Sequence, residues 1–220
     1  CEIANVRERV QKASNPAPDS QTGWRSEINA PDEHKTDVLN IVEEYLDRIA
    51  SSDLDLGCTT TRTAKIDTGD HAPIKLKPYR TPLNKRQAVD HAIDQMLDAG
   101  IIERSTSAWS FPIVIVDKKD GSKRFCVDFR QLNQITTPLS YPLPLIDDIL
   151  ALLGKAKYFT TLDLKSGYWQ VALDDRDKEK TAFACHRGLF QFTVLPFGLQ
   201  NAPGIFMELM NTVLSGLEQF

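Results

Sequence analysis

One carboxylate, Asp163, interrupts an otherwise apolar and β-branched segment, residues 158–171, whose sequence is YFTTLDLKSGYWQV. Asp is a poor strand former, and an unpaired carboxylate inside a protein is costly, so a chain that keeps one there usually needs it, and a metal ion is one way to satisfy it. Tyr168 and Trp169 follow shortly after it and would suit a flat base or a sugar. Taken alone, an Asp in this setting is more often a turn residue or a cap. Nucleotide chemistry is therefore one of two interpretations of the segment.

The composition is that of an ordinary globular protein. The chain has 220 residues, of which 41% are hydrophobic and 25% charged, so it can bury a proper core. No apolar run approaches the ~20 residues that a membrane-spanning helix needs, so we expect no membrane partner. The four cysteines and four histidines are widely separated, which indicates free thiols and disfavours a zinc site. The first residue is Cys rather than Met, which suggests that the chain is cut from a longer polypeptide.

The charge is unevenly distributed along the chain. Residues 1–61 contain 6 Lys or Arg against 12 Asp or Glu, whereas residues 62–130 contain 13 against 9. The chain has a net charge of −4, yet its middle third, residues 62–130, is basic. A local basic surface can bind phosphates even when the whole chain is acidic, although a solvated charged surface is the simpler interpretation.

The pattern of elements predicts an α+β fold, because helices and antiparallel hairpins are mixed without regular βαβ alternation. We divide the chain into a flexible linker (1–33), an acidic helical segment (34–61), an extended lead-in (62–83) and a main domain (84–220). The expected elements, in chain order, are a helix over His34–Ser51, a helix from Asn84 to a stop at Gly100, a hairpin of Ile113–Val116 with Lys123–Arg130, a short helix over Pro144–Leu153, a strand containing Asp163, a second hairpin over 180–195 and a helix from Ala202-Pro203 onward.

Asp67-Thr68-Gly69 matches the short signature of aspartic proteases. A three-residue match arises easily by chance, and the chain has no second copy of the triplet. We interpret it as a turn that leads into the extended segment.

Four separated blocks occur in one order: DKKDGSKRFCVDFRQLN (117–133), YPLPLIDDIL (141–150), TTLDLKSGYWQV (160–171) and RGLFQFTVLPFGLQNAPGIF (187–206). Together they closely resemble the fingers and palm of reverse transcriptases from gypsy-class long-terminal-repeat retrotransposons. The segment at 56–82 also resembles the stretch just upstream of that domain. The resemblance covers about residues 35–220, and it implies a right-hand polymerase fold with fingers and part of a palm.

The resemblance implies two-metal phosphoryl transfer, in which Mg²⁺ ions stabilise the attacking and leaving oxygens. Asp163 is then the first catalytic carboxylate and a ligand of two Mg²⁺ ions, and the backbone carbonyl of Leu164 is a further metal ligand. Lys118 or Lys119 and Arg124, in the fingers hairpin, match the positions that bind the triphosphate. A solvated hairpin tip is the alternative for the two lysines.

Two further positions match the nucleotide site of the family. Tyr168 matches the ring that excludes a ribose 2′-hydroxyl, although core packing is the usual role of such a Tyr. Phe197 and Gly198 match the loop beside the incoming base, where Gly lets the backbone approach closely. Retroviral members carry Gln at the position of Phe197. The hydrogen bonding that this Gln side chain can offer is therefore absent here. Trp169 is expected to face the core, and Asp128 and Arg130 to pair across the hairpin face.

The family also needs two adjacent carboxylates in a Tyr-x-Asp-Asp turn, which we expect beyond Phe220. We therefore expect the 220 residues alone to be inactive, as a fragment of an RNA-directed DNA polymerase. Implied partners are template, primer, deoxynucleoside triphosphates and the rest of a Pol polyprotein: protease upstream, and thumb, ribonuclease H and integrase downstream. The implied location is cytoplasmic, in a virus-like particle. The alternative is a degenerate or domesticated remnant that binds nucleic acid or a partner without chemistry.

Overall fold

The computed structural model describes residues 28, 30–52, 54–117, 121, 123–142, 144–154 and 156–217. The chain divides into two compact units, with the boundary between Leu56 and Gly57. Of the linker expected over 1–33, only residues 28 and 30–33 are described. Among the helices of the described ranges, none has the length and apolar character needed to cross a bilayer.

The first unit contains α1 (Asp32–Glu44), followed by a 3₁₀ turn at Leu46–Arg48. The helix is shorter than the predicted His34–Ser51, because Tyr45 leaves the helical region and the chain tightens into the 3₁₀ turn. Asp32 in the first turn suits the positive end of the helix dipole. No residue of α1 is buried.

The second unit is built on a five-stranded mixed sheet in the order β2–β7–β6–β3–β4. The strands are β2 (Ile102–Arg104), β3 (Phe111–Asp117), β4 (Lys123–Val127), β6 (Phe183–Cys185) and β7 (Gly188–Phe192). Both predicted hairpins, β3–β4 and β6–β7, are confirmed. β3 and β6 run parallel, so the two hairpins join into one sheet. Fully buried Phe111, Phe183 and Phe190 form the centre of the core.

A separate two-stranded parallel sheet, which the sequence pattern does not predict, pairs β1 (Thr59–Ala64) with β5 (Val171–Leu173). The segment after β1 is also held by the main domain. The Ile66 N–H donates to the Asp177 carboxylate at 2.9 Å, and the Leu76 N–H donates to the Ser110 carbonyl at 2.8 Å. The lead-in expected as a distinct region over 62–83 therefore lies in the same compact unit as 84–220.

The described residues of this unit also form four α-helices: α2 (Leu83–Asp98), α3 (Arg130–Ile135), α4 (Ile146–Leu153) and α5 (Ala202–Val213). α2 starts at Leu83 with Pro82 as its N-cap, so the predicted cap at Asn84 is wrong by two residues. Gly100 takes a positive φ of 68° after α2, as its predicted role as a helix stop requires. The observed mixture of helices and sheets confirms the α+β class.

The strand predicted around Asp163 is not present. Residues 156–166 contain no strand, and the ladder begins only at Val171, after a 3₁₀ turn at Gly167–Gln170. A strand needs hydrogen-bonding partners, and within the described residues no other strand pairs with this segment. The β-branched composition favours an extended chain but does not itself provide that partner.

Candidate nucleotide and metal site

Tyr168 and Phe197, from two separated sequence blocks, meet in one aromatic cluster. Tyr168 lies in the 3₁₀ turn, and its ring centroid is 5.2 Å from that of Phe197. Trp169 contacts the same Phe197 ring edge-to-face at 5.6 Å, and Phe206 of α5 contacts Tyr168 at 5.4 Å. Phe197 remains 50% exposed, so the cluster presents an aromatic surface to solvent. The fold thus brings together two of the residues predicted to bind a nucleotide.

Trp169 is half-buried rather than a core residue, and its indole Nε1 is buried without a partner in the described structure. The indole ring therefore packs at the margin of the site.

The loop that carries Phe197 and Gly198 is held by three carboxamide side chains. Asn133 of α3 donates from Nδ2 to the Gly198 carbonyl at 2.8 Å, and its Oδ1 accepts from the Gln200 N–H at 3.0 Å. Gln200 Nε2 donates to the Thr136 carbonyl at 2.7 Å. Asn201 accepts from the Leu139 N–H and donates to the Thr137 carbonyl. These five bonds fix the loop against α3 and the segment that follows it.

Gly198 has a φ of 95°, a backbone conformation that side-chain-bearing residues rarely adopt. A Cβ at this position would lie 3.7 Å from the Phe129 ring, which is ordinary contact, so backbone conformation rather than space favours Gly.

Asp163 is exposed, and among the described residues no group donates a hydrogen bond to its carboxylate. Its neighbours Leu162 and Leu164 are also exposed, by 89% and 45%. In the described part of the chain, no three His, Cys, Asp or Glu side chains cluster as a metal site would require. The Asp163 carboxylate and the Leu164 carbonyl are hard oxygen donors of the kind that Mg²⁺ prefers, but Mg²⁺ takes about six ligands. These two groups fit part of a Mg²⁺ site.

The basic residues of the fingers hairpin are described only in part, since Lys118 and Lys119 lie outside the described residues. Arg124 lies on β4 opposite Val116, is exposed, and forms no ion pair within the described structure.

The turn end of the same hairpin is held by Asp117, the last residue of β3, which lies opposite Lys123. Its carboxylate binds Lys123 at 2.5 Å and Lys85 of α2 at 3.0 Å. Hydrogen bonds from Lys123 and Lys85 lower the pKa of Asp117 below its usual value.

Asp128 and Arg130 do not pair across the hairpin face as expected, because β4 ends at Val127 and α3 begins at Arg130. They pair locally: Arg130 Nε and Nη2 donate to the two Asp128 oxygens at 2.8 and 2.6 Å. The Tyr79 hydroxyl donates to Asp128 at 3.0 Å. The Arg130 hydrogen bonds lower the pKa of Asp128 to about 2.

The Asp67 triplet forms a turn, as predicted. The Gly69 N–H donates to the Asp67 carboxylate at 2.9 Å, and this bond is the main reason that the pKa of Asp67 is lowered. The Asp67 carbonyl accepts a hydrogen bond from the Thr137 N–H, which connects the turn to the segment after α3. The described cysteines, Cys58, Cys126 and Cys185, are free thiols.

Sequence reasoning missed Asn133, Gln200, Asn201 and the role of Phe206. All four lie within or beside the blocks quoted above, but an amide or a Phe there carries no local pattern that reveals its tertiary partner. Only the folded chain shows which carbonyl or ring each one meets.

Comparisons with known proteins show which family the chain resembles. A family model described as "Reverse transcriptase (RNA-dependent DNA polymerase)" matches residues 116–220. The Drosophila melanogaster Pol polyprotein from transposon gypsy is 40% identical over 195 residues, 86% of this chain and 19% of that protein. The counterpart from transposon opus is 43% identical over 184 residues, 81% of the chain and 18% of that protein. The chain thus spans about a fifth of the length of these relatives.

Solved structures share the fold. The protease-reverse transcriptase of prototype foamy virus is 26% identical, with a TM-score of 0.80 over 91% of this chain and 27% of that chain. A foamy viral protease-reverse transcriptase solved in complex with double-stranded DNA also gives a TM-score of 0.80, at 24% identity over 94% of this chain and 38% of that chain. The α+β fold is therefore that of a polymerase, and the chain belongs to the reverse transcriptase family, with relatives among the Pol polyproteins of gypsy-type retrotransposons.

Proposed function

We propose that the chain supplies the fingers and part of the palm of an RNA-directed DNA polymerase, which extends a primer with deoxynucleotides. The observation that carries the proposal is the aromatic cluster, in which Tyr168 and the half-exposed Phe197 meet across separate sequence blocks. Both positions match the family's nucleotide site. The relatives are Pol polyproteins, which supports the proposal that the chain is part of a larger polyprotein. In this proposal the polyprotein acts on template and primer in the cytoplasm, in a virus-like particle.

In this proposal the chain's residues divide the work. Tyr168 excludes a 2′-hydroxyl by contact with the sugar, and the Gly198 backbone lies beside the base. Arg124, with Lys118 or Lys119, neutralises the outer oxygens of the triphosphate, where the guanidinium makes a forked contact. The Asp163 carboxylate and the Leu164 carbonyl would supply ligands to Mg²⁺, and the bound ion would stabilise the charge that develops on the transferred phosphoryl group.

Asp163 cannot form the whole metal site, because it is a single carboxylate and a Mg²⁺ ion needs several oxygen ligands. The described residues offer no cluster of three ligating side chains. We therefore propose that the 220 residues alone do not extend a primer. Extension by the isolated chain that is abolished by Asp163→Asn would contradict this part of the proposal.

The test places this chain in the Pol polyprotein of transposon gypsy, in exchange for the segment that it matches. Primer extension on an RNA template with Mg²⁺ is then measured. We expect DNA synthesis, and Asp163→Asn should lower its rate roughly a thousandfold or more, because one metal ligand is lost. Asp70→Asn, in an exposed turn, is the matched control and should leave the rate unchanged.

Two outcomes would contradict the proposal. Full activity of Asp163→Asn would remove Asp163 from the chemistry. A folded chimera that binds a primer–template duplex without extending it would favour the alternative, a degenerate or domesticated remnant that binds nucleic acid or a partner without chemistry. A stop codon directly after Phe220 in the gene would point the same way.

A further inference from the structure

We propose that Phe206 sets how strictly the site prefers deoxynucleotides to ribonucleotides, by fixing the ring of Tyr168. The inference rests on the proposed function, in which Tyr168 excludes the 2′-hydroxyl. Phe206 acts through Tyr168 and is therefore a positioning residue. It lies on α5, well separated in sequence from the 3₁₀ turn that carries Tyr168.

The Tyr168 ring has two aromatic neighbours with different surroundings. Phe197 approaches it at 5.2 Å with an interplanar angle of 46° and is half exposed. Phe206 approaches it at 5.4 Å and 75°, an edge-to-face contact, and is less exposed. Edge-to-face pairs are attractive only in a defined geometry, so Phe206 fixes the tilt of the Tyr168 ring. A ring that excludes a hydroxyl by contact needs a fixed tilt, because a small displacement would open space for the extra oxygen.

Gly167 creates the space that Phe206 fills. A Cβ on Gly167 would lie 2.7 Å from Phe206 Cζ and 3.0 Å from Cε2, closer than carbon atoms normally pack. Phe206 therefore lies directly against the backbone of the turn that carries Tyr168. Any side chain at position 167 would push the Phe206 ring away from its contact.

The helix that carries Phe206 is itself anchored. Ile205 and Leu209 are buried on either side of Phe206, and Glu208 forms an ion pair with Arg62 of β1. β1 pairs with β5, which directly continues the Tyr168 turn. The helix and the turn are thus held by the same strand, which limits how far Phe206 can move relative to Tyr168.

The test uses the gypsy chimera and measures kcat/KM for a deoxynucleoside triphosphate and for the matching ribonucleoside triphosphate. Phe206→Leu removes the ring contact, and Gly167→Ala displaces the ring without deleting it. We expect each variant to lower the ratio of the two kcat/KM values by roughly three- to tenfold, the size expected from one aromatic pair. Met210→Leu, on the same helix, is the matched control and should leave the ratio unchanged.

The double variant sharpens the test. If Gly167→Ala acts by displacing Phe206, it should add little in the Phe206→Leu background, since the smaller side chain leaves room for the new methyl group. Independent effects that multiply in the double variant would contradict the proposed contact. If Gly167→Ala does not fold, Phe206→Leu and Phe206→Met carry the test through the same ratio.

A purely structural role gives a different result. Loss of stability lowers kcat/KM for both substrates equally and leaves their ratio unchanged, which would overturn the inference. Failure of the proposed function is recognised separately by Tyr168→Val. If the chimera extends no primer, or if Tyr168→Val leaves the ratio unchanged, Tyr168 is not the sugar-excluding ring and the role of Phe206 falls with it.

Discussion

Phe183 on β6 and Leu162 beside Asp163 are both large apolar residues, yet Phe183 is fully buried and Leu162 is 89% exposed. The difference extends to their surroundings. Around Phe183, the rings of Phe125, Phe190 and Phe192 pack within 5.4 to 5.9 Å. Before Leu162, helix α4 leaves Ile146 exposed by 74%. The described residues thus bury the side chains of the sheet core, whereas they leave the large apolar side chains near Asp163 exposed.

The contrast divides the candidate site into two halves. The proposed sugar and base half, formed by Tyr168, Phe197 and Gly198, is contacted by the Phe206 ring and by the carboxamide of Asn133. The proposed metal half, around Asp163, has neither a strand partner nor a cluster of three metal-ligating side chains among the described residues. In the proposed site, nucleotide selection therefore rests on local packing, whereas metal binding depends on further groups.

The largest expected effect comes from truncating the packed side of the contrast. Phe183→Ala should lower the free energy of unfolding of the isolated chain by about 3–5 kcal/mol, because it leaves a cavity in a fully buried core. Leu162→Ala, the matched truncation on the exposed side, should change it by less than about 0.5 kcal/mol. Urea unfolding measures both values. Equal costs would show that the Asp163 segment is packed as well as the sheet.

A buried hydroxyl tests the same core by its hydrogen bonds. Thr181 is fully buried, donates to the Lys178 carbonyl at 2.6 Å and accepts from the Phe192 N–H at 3.0 Å. Thr181→Val should destabilise the chain by about 1–3 kcal/mol, because the Phe192 N–H would be left buried without a partner. Thr60→Val, at an exposed position of β1, should stay within about 0.5 kcal/mol in the same urea experiment. A neutral Thr181→Val would mean that water satisfies this N–H.

The carboxamide network offers a smaller effect on the preassembled half of the site. Asn133→Asp keeps the acceptor for the Gln200 N–H but loses the donor to the Gly198 carbonyl. We expect a loss of about 0.5–1.5 kcal/mol in thermal or urea unfolding. Asn84→Asp, in the first turn of α2, is the control and should be neutral or slightly stabilising. An unchanged stability for Asn133→Asp would contradict the role of the network in holding the loop.

The smallest effect concerns pH. Hydrogen bonds from Arg130 hold the pKa of Asp128 at about 2 in the folded chain, below the ~3.9 of an unfolded Asp. The stability that this carboxylate adds is therefore complete above about pH 4 and is lost as the pH falls through 2. Asp128→Asn should flatten that acid limb in urea midpoints measured between pH 4 and pH 2. If the urea midpoint of the variant fell with pH as steeply as that of the parent, other carboxylates would cause the loss of stability in acid.

Local patterns predicted the elements that depend on local sequence. The apolar spacing of Val89, Ile93 and Met96 foretold α2, and the alternation about Asp120-Gly121 foretold the β3–β4 hairpin. The β1–β5 pairing was missed, because the sequence TTTRTA of β1 has no apolar alternation and its partner lies more than a hundred residues away.

The sequence also predicted only part of the candidate site, because contacts between distant residues leave no local pattern. Resemblance named Tyr168 and Phe197, and the fold brings them together. The strand expected at Asp163 was wrong, because strand formation needs a partner that no local pattern supplies. Asn133 and Phe206 were not foreseen, since an amide or a ring acquires its role only from the group that it meets in the fold.

Amide hydrogen exchange on the isolated 220-residue chain tests the central contrast most directly. Segments are compared over residues 156–166, which contain Asp163, and over 183–192, which form β6 and β7. The account predicts rapid exchange at 156–166, where the backbone has no ladder, and strong protection at 183–192. Equal protection of the two segments would contradict the claim that the metal half of the site lacks its packing partners.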